Sequence, residues 1–275
     1  MTTQSPLTVP PADESDLLGR NPFDLSGRNA IVTGATGPLG RALASALAEA
    51  GANVSVTTAT ESAEEEVAAN SILNECWSHG RTGIARRVDL TSPANVEAAV
   101  AAIEAEVGET HILVNAAHGA NIKPVLDASL ADWHREFERN ATSVFVASQA
   151  VGKRMVARGY GRIVNLVSIL HDRGVPNAAL YGASQGAVLG FTKSLGLEWG
   201  RNGVTVNALG LGFFDDIPGI QSDEEVHAVL ERYIPVRRLG KPSDLQGPLI
   251  YLCSDLAGFV DSEVFVVDGA IQVHA

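Results

Sequence analysis

Three side chains near the middle of the chain invite a chemical reading: the hydroxyl of Ser168, the phenol of Tyr181 and the carboxamide of Gln185, in a stretch that ends Tyr181-Gly-Ala-Ser-Gln185. A hydroxyl and a phenol that share one site can hold an oxygen and move a proton to or from it. His171 and Asp172 follow Ser168 in SILHDRG. With Tyr181 they could serve proton transfer in an isomerase, dehydratase or lyase, or they are only solvent-facing loop residues. Gln185 can donate and accept hydrogen bonds but adds no charge. A second centre is written as IVTGATGPLGRALASALAEAGA, a strand that turns through glycines into a helix. In that setting the backbone can approach a phosphate closely, and the helix start supplies N–H groups and the positive end of a dipole. Pro38 lies in this turn; it has no N–H and adds a ring on the ligand side, yet proline in a first helical turn is favourable in itself.

These groups must be held by an alternating framework. Short β-branched runs predict strands at 29–33, 53–57, 84–88, 111–115, 162–167, 204–207 and 264–267. Amphipathic stretches predict helices at 38–50, 62–79, 92–107, 130–158, 178–200, 223–233 and 242–254. That order is the pattern of β-α-β units in a parallel sheet. Runs such as NAIVT, HILVN and RIVNLV are apolar nearly throughout, as strands covered on both faces must be. The segment from Gly210 to Asp223 combines glycine, proline and acids without periodicity, which predicts a mobile lid over a site. Phe213, Phe214, Ile217 and Ile220 within it either meet a partly apolar ligand or anchor the lid.

Bulk properties narrow the class of function. The 275 residues are 45% apolar, enough for one large core, and residues 23–275 are expected to form a single domain behind a flexible N-terminal arm at 1–22. A formal net charge of −12 argues against nucleic acid and anionic membrane as partners and favours a small-molecule substrate. Cys76 and Cys253 give neither a metal-ligand spacing nor a disulfide framework, so no metal site and a cytoplasmic setting are expected. The first twenty residues have no basic start and no long apolar run, unlike a secretory signal or a membrane span.

A serine, a tyrosine thirteen positions later and a lysine four after that mark the short-chain dehydrogenase/reductase family, which this chain resembles from about Asn21 to its end. The resemblance implies a Rossmann-type, doubly wound α/β fold with a seven-stranded parallel sheet, and NAD or NADP as cofactor. The family's TGxxxGxG keeps Gly34 and Gly40 here, with Pro38 in the middle glycine's place. Its NNAG becomes Asn115-Ala116-Ala117-His118, where the imidazole either fills the groove or brings acid-base capacity. Asp89 in RVDLT matches the acid beside the adenine ring, although it could simply start a turn. Thr57, Thr58 and Ala59 stand where the ribose is read, and they write neither the acid that suits NAD nor the arginine that suits NADP. In NALGLGFFDD, Gly212 follows the family's NAxxPGxxxT, whereas Leu211 and Asp216 replace its proline and threonine.

By the same resemblance Tyr181 is the acid-base group, Ser168 orients the substrate oxygen, and Asn140 in RNATSVF kinks a helix and holds a water. Gln185 stands in place of the lysine that binds the nicotinamide ribose and stabilises the tyrosinate. A unit charge 4–5 Å from a phenol is worth roughly 3–4 kcal/mol at an effective dielectric near 20, hence about 2–3 pKa units. Without it Tyr181 is expected near a phenol's ordinary ~10. Lys193 is three helical turns further on, ~18 Å away, and cannot substitute. Departures at several cofactor positions lead to the first expectation, a catalytically impaired subunit of a heteromeric NAD(P)-dependent dehydrogenase for a secondary alcohol or ketone. The alternatives are an autonomous slow ketoreductase that uses Tyr181 and a cofactor-independent lyase or isomerase that uses Tyr181 and His171. The apolar segments SVFVASQAV and GAVLGFTKSLGLEW match the helices through which the family forms oligomers, so a homo- or hetero-oligomer with another such subunit is expected.

Overall fold

The computed structural model describes residues 21–214 and 224–274. The strands are β1 (Asn29–Thr33), β2 (Asn53–Thr58), β3 (Ala85–Arg87), β4 (Ile112–Asn115), β5 (Gly161–Ser168), β6 (Val204–Leu211) and β7 (Val264–Val267). They form one parallel sheet in the order β3-β2-β1-β4-β5-β6-β7. The expected doubly wound, seven-stranded α/β fold is therefore what the chain adopts.

Apolar residues on both sides of each central strand make this arrangement stable. Val32, Val54, Val114 and Val164 join one buried cluster with Leu43 and Leu47 of α1 (Pro38–Glu49), Ile72 of α2 (Ala63–Ser78) and Leu249 of α8 (Gln246–Cys253). Their strand neighbours Ile31, Leu113 and Ile163 point the other way. There they meet Val100 and Ile103 of α3 (Pro93–Val107), Val151 and Met155 of α5 (Ser143–Arg158) and Leu195 of α6 (Ala179–Trp199). α5 and α6 approach so closely that a Cβ on Gly152 would lie 2.3 Å from the Trp199 ring. Strand order reverses between β1 and β4, and a crevice opens there at the carboxyl ends of the strands, where sheets of this kind bind ligands.

Two expectations about elements change. The helix expected over 130–158 is divided into α4 (Leu130–Phe137), a π-helical turn at Glu138–Thr142, and α5. Periodicity cannot register one wide turn, and Asn140, buried in that turn, supplies the local bonds that hold it. β6 reaches Leu211 rather than ending at 207, because Asn165 to Ser168 and β7 pair with its glycine-containing end. Gly210 and Leu211 therefore belong to the sheet and not to a lid. Phe214 is 1% exposed and packs on Gly240, and Phe213 joins the cluster around Ile234 and Leu239, so both aromatics serve as anchors. The rest of the expected lid, with Ile217, Ile220 and Asp216, lies outside the described residues, as does the arm before Asn21. α7 (Glu224–Tyr233) follows. No helix among the described residues is long and apolar enough to cross a membrane.

Candidate active site

β5 ends at Ser168, and the first turn of α6 carries Tyr181, so a strand end and a helix start bring hydroxyl and phenol together. The Ser168 hydroxyl hydrogen-bonds to the Tyr181 phenol. Tyr181 is buried, and burial pushes its pKa up to about 12, opposed by the Ser168 bond and reinforced by the charge of Glu136. The ordinary value expected from the sequence is thus corrected upward, because the phenol is enclosed, with no cation acting on it. Gln185 lies one helical turn beyond Tyr181, at 2% exposure. Its Oε1 accepts the Ser168 backbone N–H at 2.9 Å. The carboxamide therefore closes the end of β5, and no cation is among the groups acting on Tyr181.

Asn140 reaches the same place from the π-helical turn. Its Oδ1 accepts the Gly119 N–H at 3.1 Å, and its Nδ2 donates toward Gly119 O, Glu136 O, Glu136 Oε1 and Ser184 Oγ at 3.0–3.1 Å. Asn140 thus ties α4, the loop after β4 and α6 into one frame. Glu136 is 1% exposed. Burial raises its carboxyl pKa, opposed by the Arg139 charge and by hydrogen bonds from Asn140 and the Asn121 backbone. A carboxyl that holds its proton more tightly when folded weakens the fold as pH rises from the unfolded value of 4.5 through the folded one. Glu136→Gln, which keeps an acceptor for Asn140, is expected to raise the melting temperature at pH 7, with the gain fading below pH 4.5. Melting curves at pH 4 and pH 7 check this; an equal gain at both would mean that the carboxyl does not titrate between them.

The glycine turn packs closely against the loop after β4 and on itself. Gly34 has φ +64°, and a Cβ there would lie 2.4 Å from Ala117 Cα; a Cβ on Gly40 would lie 2.3 Å from Gly34 O. Gly37 caps α1 with open space beside it, and Pro38 takes the first helical position, where an N–H has no helical partner in any case. Beyond the turn lies a groove of about 270 Å³ lined by Gly34, Thr36, Thr58, Ala59, Glu65, Asp89 and Arg139, among others. Asp89 lines it while also making the turn its sequence allowed, accepting Thr91 N–H at 2.9 Å and Thr91 Oγ1 at 2.6 Å. Thr58 lines it from the end of β2. The turn and groove fit the phosphates and adenosine of a dinucleotide.

Other expected positions sit elsewhere. Asn115 turns its side chain into the core, donating to Ser148 Oγ at 3.0 Å and Asn165 Oδ1 at 2.8 Å. At the last position of β4 this face of the strand looks into the protein, so Asn115 supports the groove from behind. Gly212 is held by its N–H to Val267 O, and a Cβ there would lie 2.6 Å from Asp268 Cα; close backbone packing accounts for this glycine. His118 is exposed, with Nδ1 2.8 Å from Ala116 O, so it does not fill the groove. His171 Nδ1 lies 2.8 Å from Ser168 O, which ties the ring to the backbone of the serine and not to the phenol. Two residues escaped the sequence reading. Glu136 gave no signal, because one acid among the charges of ADWHREFERN looks solvent-facing. Glu65 did give one: Ser62 and Glu65 have the spacing of a helix-capping box, although the carboxylate goes further than a cap requires.

Comparison with known proteins agrees with this geometry. The family model described as enoyl-(acyl carrier protein) reductase matches residues 34–271. Gluconate 5-dehydrogenase of Gluconobacter oxydans is 35% identical over 253 residues, covering 91% of this chain and 97% of that protein. The 3-oxoacyl acyl-carrier-protein reductase of Vibrio cholerae is 33% identical over 252 residues, covering 91% of this chain and all of that one. Among solved structures, a gluconate 5-dehydrogenase from Burkholderia cenocepacia, in complex with NADP and tartrate, superposes with a TM-score of 0.86 at 32% identity, covering 92% of this chain and 98% of that chain. Glycine turn, strand order and nearly full-length similarity point the same way, and the chain belongs to the short-chain dehydrogenase/reductase family.

Proposed function

We propose that this chain is a nicotinamide-dependent oxidoreductase of reduced catalytic power, which interconverts a secondary alcohol and a ketone of a small, partly apolar metabolite and works mainly in the ketone-reducing direction. The observation that carries this is the placement of Gln185: its carboxamide oxygen holds the Ser168 N–H while Tyr181 stays enclosed with no cation acting on it. The names of the relatives, a gluconate dehydrogenase and an oxoacyl reductase, support alcohol–ketone chemistry.

When bound, a reduced nicotinamide supplies the hydride. Gly34, Gly37 and the start of α1 would hold its phosphates, and Thr58 and Asp89 its adenosine. Tyr181 keeps its proton at neutral pH and donates it to the carbonyl oxygen, while the Ser168 hydroxyl orients that oxygen and then stabilises the phenolate left behind. Solvent returns the proton. Oxidation needs the phenolate first, and with a pKa near 12 only roughly one molecule in 100,000 has it at pH 7.

A second reading, a partner subunit for an intact homologue or for a second copy of itself, is favoured by Phe145 on α5 and Leu197 on α6, which are 44% and 80% exposed. One preparation tests both. The chain purified alone should reduce ketones at a rate that changes little from pH 6 to 9, whereas oxidation climbs close to tenfold per pH unit with no plateau by pH 10. A plateau near neutral pH sinks the assigned state of Tyr181. Reduction that appears only after an intact homologue is added, together with a larger native mass, establishes the partner role.

A further inference from the structure

One carboxylate in the groove has no part in the chemistry assigned to Ser168 and Tyr181. Glu65, in the first turn of α2, folds its carboxylate back over the end of β2. Oε2 accepts Ala59 N–H at 3.0 Å, Thr60 N–H at 2.6 Å and Thr60 Oγ1 at 2.8 Å, and Oε1 accepts Thr36 Oγ1 at 3.3 Å. One carboxylate thus bridges the glycine turn and the loop after β2, and it lines the groove together with Thr58 and Asp89. A helix cap would not need this. The cap of α2 is already made by Ser62, whose Oγ accepts Glu65 N–H at 3.2 Å, and the Ser62 N–H goes to Thr60 Oγ1 rather than to Glu65.

We infer that Glu65 makes this groove select NAD(H) over NADP(H), holding the adenosine ribose as a diol and rejecting a phosphate at its 2′ position. The inference rests on the proposed nicotinamide-dependent function. A 2′-phosphate would need hydrogen-bond donors and positive charge where the glycine turn meets the loop after β2. The donors there, two backbone N–H groups and two threonine hydroxyls, are already directed at Glu65. Of the cations nearby, Arg41 of α1 is paired with Glu75 and Arg87 at the end of β3 with Glu61, while Arg139, which also lines the groove, lies against Gly119 in the loop after β4. A phosphate would meet the Glu65 carboxylate at short range, whereas a ribose 2′-hydroxyl is a donor that a carboxylate accepts. Glu65 is held ionised: although partial burial opposes it, the bonds from Thr60, Ala59 and Thr36 lower its pKa. This sets the chain apart from the similar Burkholderia cenocepacia structure, which holds NADP.

Calorimetric titration of the full chain with NADH and with NADPH tests the inference without any turnover. NADH is expected to bind at least tenfold more tightly. Glu65→Gln, which keeps an acceptor for the loop but removes the charge, should narrow that ratio at least fivefold, mainly by tightening NADPH. Its melting curve reports whether the loop survives. Equal affinities in the wild-type chain, or tighter NADPH, overturn the inference while leaving the oxidoreductase function standing. A ratio unchanged by a folded Glu65→Gln chain also overturns it and reduces Glu65 to a loop tie. Should the variant unfold, the wild-type ratio alone decides. Binding of neither nucleotide removes the proposed function, and the inference falls with it.

Discussion

Gln185→Lys is expected to raise alcohol oxidation at pH 8 by roughly 100- to 1000-fold while lowering the stability of the fold. The gain follows from charge. An ammonium 4–5 Å from the phenol stabilises the tyrosinate by roughly 3–4 kcal/mol at an effective dielectric near 20, bringing Tyr181 down by about 2–3 units from a value near 12. The loss follows from the bond that glutamine makes. Lysine has no acceptor, so the Ser168 N–H, now held at 2.9 Å, would be left unpaired in the interior. That deficit is worth about 1–3 kcal/mol. Gln185→Met separates the two effects, since it should lose the same stability and gain no rate. The oxidation pH profile is the deciding measurement: an unshifted profile in a folded Gln185→Lys chain would mean that Tyr181 is not governed by the group at position 185.

Gly34→Ala is expected to damage both the fold and dinucleotide binding. Its φ of +64° is a conformation that disfavours any Cβ, at about 1–2 kcal/mol. The added carbon would also lie 2.4 Å from Ala117 Cα and 2.6 Å from Ala117 N, so β1 and β4 would have to part at the mouth of the crevice. Backbone cannot give way as a side-chain tip can, and a total above ~3 kcal/mol follows, with dinucleotide binding lost because the turn is deformed. Gly37→Ala is the matched control. Its backbone is extended, with φ −78° and ψ 160°, and the nearest atom to an added Cβ is 3.8 Å away. Thermal melting should hardly change for Gly37→Ala, while binding weakens as the methyl enters the space a pyrophosphate would use. Similar melting losses for the two variants would refute this account of the turn.

The alternation of apolar runs with amphipathic helices determined the sheet, and motif spacing marked Ser168, Tyr181, Gly34 and Asp89, because those signals are local and periodic. Residue type also fixed the absence of a positive charge at position 185. Where that side chain goes is another matter. Gln185 could have faced a ribose, and only the approach of α6 to the end of β5 turned it onto the Ser168 N–H. Enclosure by neighbouring elements, invisible to spacing, decided that Tyr181 lies near 12 rather than 10. The same holds for Asn115, whose place on a face of β4 sends it into the core, and for the π-helical turn that interrupts an otherwise continuous helical pattern. Thr57, Thr58 and Ala59 left the ribose unread in the sequence. The carboxylate that accepts the Ala59 and Thr60 N–H groups comes from Glu65, which only the fold of α2 over β2 brings there. Local pattern states which groups a chain has, whereas burial and direction depend on segments distant in sequence, and those two properties set the chemistry of this site.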